Sequence, residues 1–353
     1  MRFIHIADVH LGAQPDAGSV YSAQRPQELW EAFSEVIALC EREKMDLLLI
    51  AGDLFHRQPL LRELKEVNYL FSTLSVTKVV LIAGNHDYIR KDSYYRTFSW
   101  NRNVYPLFGR ELQKVFFREL DTAVYGFSYY EREIREPLYD EVCTAVESDM
   151  RYRILLAHGG DEKHIPIRRE ILERSGFDYI AMGHIHKPQE VLAGRALYAG
   201  ALEPIDKNDV GPHGYVRGGI TSHGVRTEFV PFAKREYIHL VLKVNRSMTA
   251  GALLNWMRQV VEQRGTQNLY KFILRGFRDP DITFDAEQMY LPENVLELAD
   301  ETEAAYDFPN ILENNRDNLI GKYIETFADC GEGSLEHQAL QEGVLALMKN
   351  RME

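Results

Sequence analysis

Cysteine is scarce in this chain: three in 353 residues, at Cys40, Cys143 and Cys330, scattered and odd in number. That excludes a disulfide frame and a cysteine-based zinc knuckle, and it fits reduced thiols in a cytoplasmic protein. No apolar run approaches the roughly 18 residues that a membrane span needs, so no membrane partner is expected. No basic segment followed by an apolar core opens the chain, which argues against a secretory signal. Low-complexity tracts and solenoid-period repeats are missing as well. A basic excess is also absent: the formal net charge is −12, which argues against a broad electrostatic hold on nucleic acid. Two divalent metals would add about four positive charges where a phosphate must sit, so this balance weighs against a nucleic-acid substrate without excluding one.

What is present is an ordinary globular composition, 45% hydrophobic and 27% charged, long enough for one large domain and one or two small ones. Short apolar runs at Phe3–Ala7, Asp46–Ala51, Lys78–Ile82, Ala123–Phe127, Arg153–Ala157 and Tyr179–Met182 predict buried strands. Amphipathic stretches alternate with them. Leu29, Phe33, Val36, Ile37 and Cys40 recur at helical spacing, as do Leu64, Val67, Leu70, Phe71 and Leu74. The alternation implies an α/β layered core. Gly-rich turns then separate Ala196–Ala199, Gly214–Thr221 and Arg226–Val230, which predicts antiparallel strands closing a second sheet. The expected organisation is a core domain over 1–233, a small α+β domain over 234–300, and a linker with helical segments over 301–353. In that second domain Tyr237–Val244 and Leu269–Leu274 read as strands and Ala252–Gln263 as a helix. Pro292–Asn318, acidic and broken by prolines, predicts a loop.

Five signals fall in order, each at the end of a predicted strand: Asp8-Val9-His10, Gly52-Asp53, Gly84-Asn85-His86-Asp87, His158-Gly159 and Gly183-His184-Ile185-His186. Carboxyl ends of strands in open α/β sheets form the crevice where ligands bind. Seven oxygen and nitrogen donors thus converge on one edge: Asp8, His10, Asp53, Asn85, His158, His184 and His186. Imidazoles and carboxylates without cysteine suit two divalent ions of the manganese, iron or zinc kind, and a carboxylate such as Asp53 can bridge them. The glycines at 52, 84, 159 and 183 would let the backbone turn and approach closely. Each signal alone is weak; Gly-Asn-His-Asp, for instance, also fits a tight turn with Asn at positive φ. Their joint occurrence in one order is what carries weight.

That order resembles the signature of the calcineurin-like metallophosphoesterases over roughly residues 1–232. Ile6–Gly12, Gly52–His56, Gly183–Gln189 and Tyr198–Pro204 are similar to one branch of it, the nuclease subunits of SbcCD-type repair complexes and their YhaO-like relatives. The resemblance implies a two-sheet α/β sandwich flanked by helices, with a small α+β capping domain and C-terminal helices. By it, Asp8, His10, Asp53 and His186 hold one metal, and Asp53, Asn85, His158 and His184 the other, with manganese first and iron, zinc or magnesium as alternatives. His86 meets the phosphate or protonates the leaving oxygen. His56 helps present a DNA strand, and Asp87 orients His86.

The activity so implied is a metal-dependent DNA exonuclease and endonuclease in double-strand break repair. It would act on strand ends as a homodimer with an SbcC-type ATPase. Two alternatives stand beside it: a phosphodiesterase or phosphatase for nucleotides and other small phosphoesters, and a non-catalytic scaffold on the same fold. Candidate phosphate contacts are Arg57, Arg90, Lys91, Arg132, Arg135, Arg168 and Arg169; each also reads as a solvated surface charge. The aromatic run Tyr88, Tyr94, Tyr95, Phe98 and Trp100 fits base stacking or packing as a helix face. After Gly331-Glu332-Gly333, and before it at 319–327, apolar stripes fit docking on the ATPase or packing on this chain itself.

Overall fold

Strands whose side chains are apolar on both faces must be covered on both faces, and this requirement sets the layering of the protein. The computed structural model describes residues 1–144, 149–331 and 334–349; Glu332 and Gly333 of the predicted glycine turn lie outside them. The chain divides into two compact units, Met1–Ile238 and His239–Glu353. The first runs β1 (Arg2–Ile6), α1 (Arg25–Glu43), β2 (Leu47–Ala51), α2 (Leu61–Ser72), β3 (Lys78–Ile82), β4 (Val104–Pro106), β5 (Gln113–Phe117), β6 (Thr122–Gly126), α3 (Tyr139–Thr144), β7 (Tyr152–His158), α4 (Arg169–Arg174), β8 (Tyr179–Gly183), β9 (Gln189–Leu192), β10 (Ala196–Tyr198), β11 (Gly214–Thr221) and β12 (Gly224–Pro231).

Two six-stranded mixed sheets result, ordered β12-β11-β1-β2-β3-β4 and β5-β6-β7-β8-β10-β9. Strands β1 to β4 are mutually parallel, as are β6, β7, β8 and β10. Alternate residues of each inner strand serve two cores. Phe3, Leu49, Val80, Ile154, Leu156 and Ala181 pack between the sheets. Ile4, Ile6, Leu48, Ile50 and Val79 face α1 and α2, meeting Phe33, Ile37, Val67 and Phe71. On the far side Tyr125, Leu155 and Ile180 meet Tyr139 and Leu172 of α3 and α4. The α/β sandwich expected from the sequence is therefore the fold observed.

Three local expectations are corrected. The pair β11 and β12 is antiparallel as expected, but it joins the first sheet beside β1; β9 and β10 complete the second. Gly218 makes this placement possible, because it sits opposite Phe3 in the register and a Cβ there would lie 2.0 Å from the Phe3 ring. The acidic stretch Pro292–Asn318 is not a loop. It holds β15 (Val295–Ala304) and α6 (Phe308–Asn314). Two of its acids share one strand face, where Glu297 pairs with Lys271 at 2.7 Å and Glu301 with Arg275 at 2.8 Å, so charge patterned for cross-strand pairing imitates a linker. Finally, Tyr94–Arg96 is a single 3-10 turn, so the aromatic run is not a long helix face.

The second unit carries a three-stranded sheet of β13 (Tyr237–Val244, shared across the division), β14 (Leu269–Arg278) and β15, with α5 (Ala250–Arg264) between β13 and β14 in sequence. Beyond α6 come α7 (Leu319–Thr326) and α8 (Leu335–Lys349). The apolar stripes of these two helices face each other: Ile320, Ile324, Leu340 and Val344 form one buried cluster with Phe308 and Leu312 of α6. These helices therefore pack on one another within the second unit. No described helix is long and apolar enough to cross a membrane.

Gly218→Ala should lower the unfolding free energy by about 1–3 kcal/mol, because the buried Phe3 ring must move. Denaturant titration of Gly218→Ala, Phe3→Leu and the double variant checks this. The double variant should lose less than the sum of the singles, and strict additivity would show that the two positions do not collide.

Candidate metal centre

The donors sit where the strands end. Asp8 follows β1, Asp53 follows β2, Asn85 follows β3, His158 closes β7, and His184 follows β8. Because β1, β2 and β3 are neighbours in one sheet and β7 and β8 in the other, the carboxyl edges of both sheets meet at this point. Four of the seven donor residues have left-handed backbone: Asp8 (φ 50°), His10 (52°), Asp53 (49°) and His184 (97°). Such conformations cost energy in non-glycine residues and persist only where surrounding bonds enforce them. Here Asp8 N donates to Gly52 O (3.2 Å) and His10 N to Asp53 O (3.1 Å). His184 N donates to both carboxylate oxygens of Asp8 (3.1 and 2.9 Å).

The side chains form two groups joined at Asp53. In one, His10 Nε2 lies 3.0 Å from His186 Nε2 and 4.0 Å from Asp53 Oδ2, and Asp8, His10 and His186 present ligand atoms within 4.8 Å of one another. In the other, His158 Nε2 is 3.5 Å from Asp53 Oδ2 and 2.8 Å from Asn85 Oδ1, which also lies 3.0 Å from His184 Nδ1. All seven sequence-predicted donors are brought together, and Asp8, His10, Asp53, Asn85 and His158 are buried. Gly84 shows how tight the packing is. A Cβ there would lie 2.3 Å from Asp53 Oδ1 and 2.6 Å from His158 Nε2, so only glycine fits.

Electrostatics follow from burial and crowding. Burial drives the His10 imidazole well below its ordinary range, and neighbouring His186 and His86 add to this against the pull of Asp53. Burial likewise pushes Asp8 up to about 6 and His184 down to about 4. Asp53 goes the other way: burial favours its acid form, but the adjacent imidazoles, His158 first, hold it well below the carboxylate range. His158 and His186 are raised to about 9 despite burial, by Asp53 and Asp209 respectively. Nitrogen lone pairs, carboxylate oxygens and one amide oxygen aimed inward, with no thiol, are a donor set that fits divalent cations. Binding there would release the imidazole protons.

The remaining sequence-predicted residues divide. The His86 amide donates to Asp53 Oδ1 at 2.8 Å, and its Nδ1 lies 3.0 Å from the His56 carbonyl oxygen. The His56 and His86 rings stack with centroids 4.9 Å apart, and His56 Nδ1 is 3.3 Å from His10 Nδ1. Asp87 does not make the orienting contact to the His86 ring that was expected of it. Its carboxylate accepts from Gly84 N (2.8 Å), Phe55 N (3.2 Å) and the buried Tyr95 hydroxyl (2.8 Å), so it braces the loop backbone instead. Tyr95 is thereby a packing residue, with Trp100 and Phe98 beside the same core.

Two acids that sequence reasoning missed complete the arrangement. Asp209 accepts from His186 Nδ1 (3.2 and 3.1 Å), leaving Nε2 to face His10. Asp161 lies 2.7 Å from His184 Nε2, leaving Nδ1 to face Asn85. A carboxylate on the far ring nitrogen fixes tautomer and orientation of an imidazole donor. Asp161 had a faint signal, as a turn acid three residues past His158. Asp209 had none, lying 23 residues beyond His186. Its loop is anchored from below, where Glu203 Oε1 accepts from Lys234 N (2.7 Å) and Glu203 Oε2 stands 3.7 Å from the buried Arg25 guanidinium.

Asp209→Asn should weaken one of two divalent-cation binding events by about 10- to 100-fold and spare the other. Titration calorimetry reads this, and two unchanged affinities would refute the role. Glu203 yields a pH prediction. Burial raises its carboxyl from 4.5 to about 7, so between those values the folded state holds a proton that the unfolded state has lost. Its contribution is complete below about 4.5 and fades as pH rises through about 7. In Glu203→Gln the decline of unfolding free energy over that window should flatten; an unchanged pH profile from denaturant titrations would count against it.

Comparison with known proteins identifies the family. A family model described as calcineurin-like phosphoesterase matches residues 1–188. The metallophosphoesterase YhaO of Bacillus subtilis, described as uncharacterized, is 27% identical over 86% of this chain and 78% of its own length. The DNA double-strand break repair protein Mre11 of Methanocaldococcus jannaschii is 29% identical over 59% of this chain and 58% of its own, so the chain matches a little over half of that relative. A dimetal phosphatase from Danio rerio matches in structure with a TM-score of 0.39 and 12% identity, over 66% of this chain and 99% of that one. With its family model covering more than half of its length, the chain belongs to the calcineurin-like phosphoesterases.

Proposed function

We propose that this chain is a two-metal DNA nuclease, acting as exonuclease and endonuclease on strand ends. The observation that carries the reading is the seven-donor cluster opening, through Asn85 and His86, into a basin of about 760 Å³. His56, Arg57, Gln58, Leu60, Tyr88, Arg90 and Arg132 also line it. Asp8, His10, Asp53 and His186 would hold one ion, and Asp53, Asn85, His158 and His184 the other, manganese being the first candidate. Bound there, the ions would supply Lewis-acid activation of water and neutralise charge on the phosphate. A homodimer and an SbcC-type ATPase partner belong to the same proposal and rest on the resemblance to the Mre11-like branch.

The chain's own residues supply position and a proton. Asp53 Oδ1 fixes the His86 backbone, and the His56 carbonyl accepts from ring Nδ1–H. The protonated ring then has Nε2–H to donate to a departing alkoxide, the role of a general acid. His56, stacked on His86 and lining the same basin, would help present the strand. The second reading, a hydrolase of small phosphoesters, is favoured by the net charge of −12. Manganese with DNA of defined ends, set beside cyclic nucleotides, separates the two: cleavage of the nucleotides alone refutes the nuclease.

His86→Ala should retain two ions per chain by metal analysis while turnover falls by about 10²- to 10⁴-fold. Near-wild-type turnover would remove His86 from the mechanism. Loss of an ion would make it a ligand instead.

A further inference from the structure

Five of the seven cations singled out in the sequence are already engaged. Arg57 pairs with Glu63 (2.7 Å), Arg90 with Asp92 (2.9 Å), Arg135 with Glu133 (3.3 Å) and Arg169 with Glu173 (3.0 Å), and Arg168 pairs with Asp140. Lys91 is exposed and lies off the basin lining. Arg132 differs from all of them. It lines the basin with His86, His56 and Asn85, and among the described residues it has no carboxylate or hydrogen-bond partner. It is also close enough to His56 for its charge to act on that imidazole.

An arginine left unpaired in a chain of net charge −12, at the mouth of a cluster that would receive a phosphodiester, is poised for an anion that comes with the substrate. The reacting phosphate would sit over the donor cluster, whereas Arg132 is no donor and lines the basin that the cluster opens into, with His56 and His86. We infer that Arg132 is the anchor for a neighbouring, non-reacting phosphate of the DNA strand, and that it sets the preference for a polymeric over a single phosphodiester. This rests on the nuclease reading above. The two paired arginines of the basin then act as its walls: Arg57, held by Glu63 in a two-pronged contact (2.7 and 3.1 Å), is neutralised where it stands.

The test uses the full chain with manganese on two substrates, bis(p-nitrophenyl) phosphate and a single-stranded oligonucleotide, comparing wild type with Arg132→Ala and Arg132→Lys. Arg132→Ala should lose at least fivefold more kcat/KM on the oligonucleotide than on the single diester, mainly through KM. The slope of log affinity against log salt for the oligonucleotide should fall by about 0.7, the value for one phosphate contact on a single strand. Arg132→Lys, which keeps the charge, should restore the slope. Equal losses on both substrates, or an unchanged slope, overturn the anchor. Wild-type protein that cleaves the single diester but neither binds nor cuts the oligonucleotide overturns the anchor and the DNA reading while leaving a phosphodiesterase. Inactivity on both with manganese bound overturns the hydrolase reading itself.

Discussion

The arrangement turns on one carboxylate. Asp53 stands 4.0 Å from His10 and 3.5 Å from His158, its other oxygen accepts the His86 amide, and its backbone carbonyl accepts the amide of His10. It therefore ties together both donor groups, the loop that carries the candidate acid, and the ends of β1 and β2. A buried carboxylate surrounded by imidazoles stays ionised only because positive charge lies against it on several sides. Protons on His158 and His186 can provide that charge, and so can divalent ions. Cations bound at the centre would accordingly displace protons from it.

Around that carboxylate the protein separates rigid support from polar adjustment. The strands that end at the centre are buried on both faces and fix the backbone. The imidazoles are then aimed individually, by carbonyl oxygens such as Ala51 O on His158 Nδ1 (2.8 Å) or by the carboxylates Asp161 and Asp209. Asp87 and Tyr95 perform a related task for the backbone of the Asn85-His86 loop, which keeps those residues in place without drawing on the His86 ring.

Much of this was legible in the sequence, for physical reasons that also explain what was not. Runs such as Leu47–Ala51 announce inner strands because they can be stable nowhere else, and polar residues just past them announce a site. Partner choice beyond the chain neighbourhood left no such trace. Nothing near His186 points to Asp209, and nothing in Asp87 reveals that its acceptors are claimed by Gly84, Phe55 and Tyr95. The position of β11 and β12 depends on the absence of a side chain at Gly218 opposite Phe3, a fact of three-dimensional register. In β15 the acids Glu297 and Glu301 hid the strand because their partners, Lys271 and Arg275, lie on another strand.

The left-handed backbone at Asp8, His10, Asp53 and His184 has a consequence for how this molecule can change. Each such residue raises the energy of the fold by something on the order of 1 kcal/mol, which a glycine in its place would largely relieve. Competence and durability therefore pull in opposite directions at four points of one small region. Selection for thermal robustness alone would erode this centre first, and any stabilised descendant that keeps it must gain its added stability elsewhere in the two sheets.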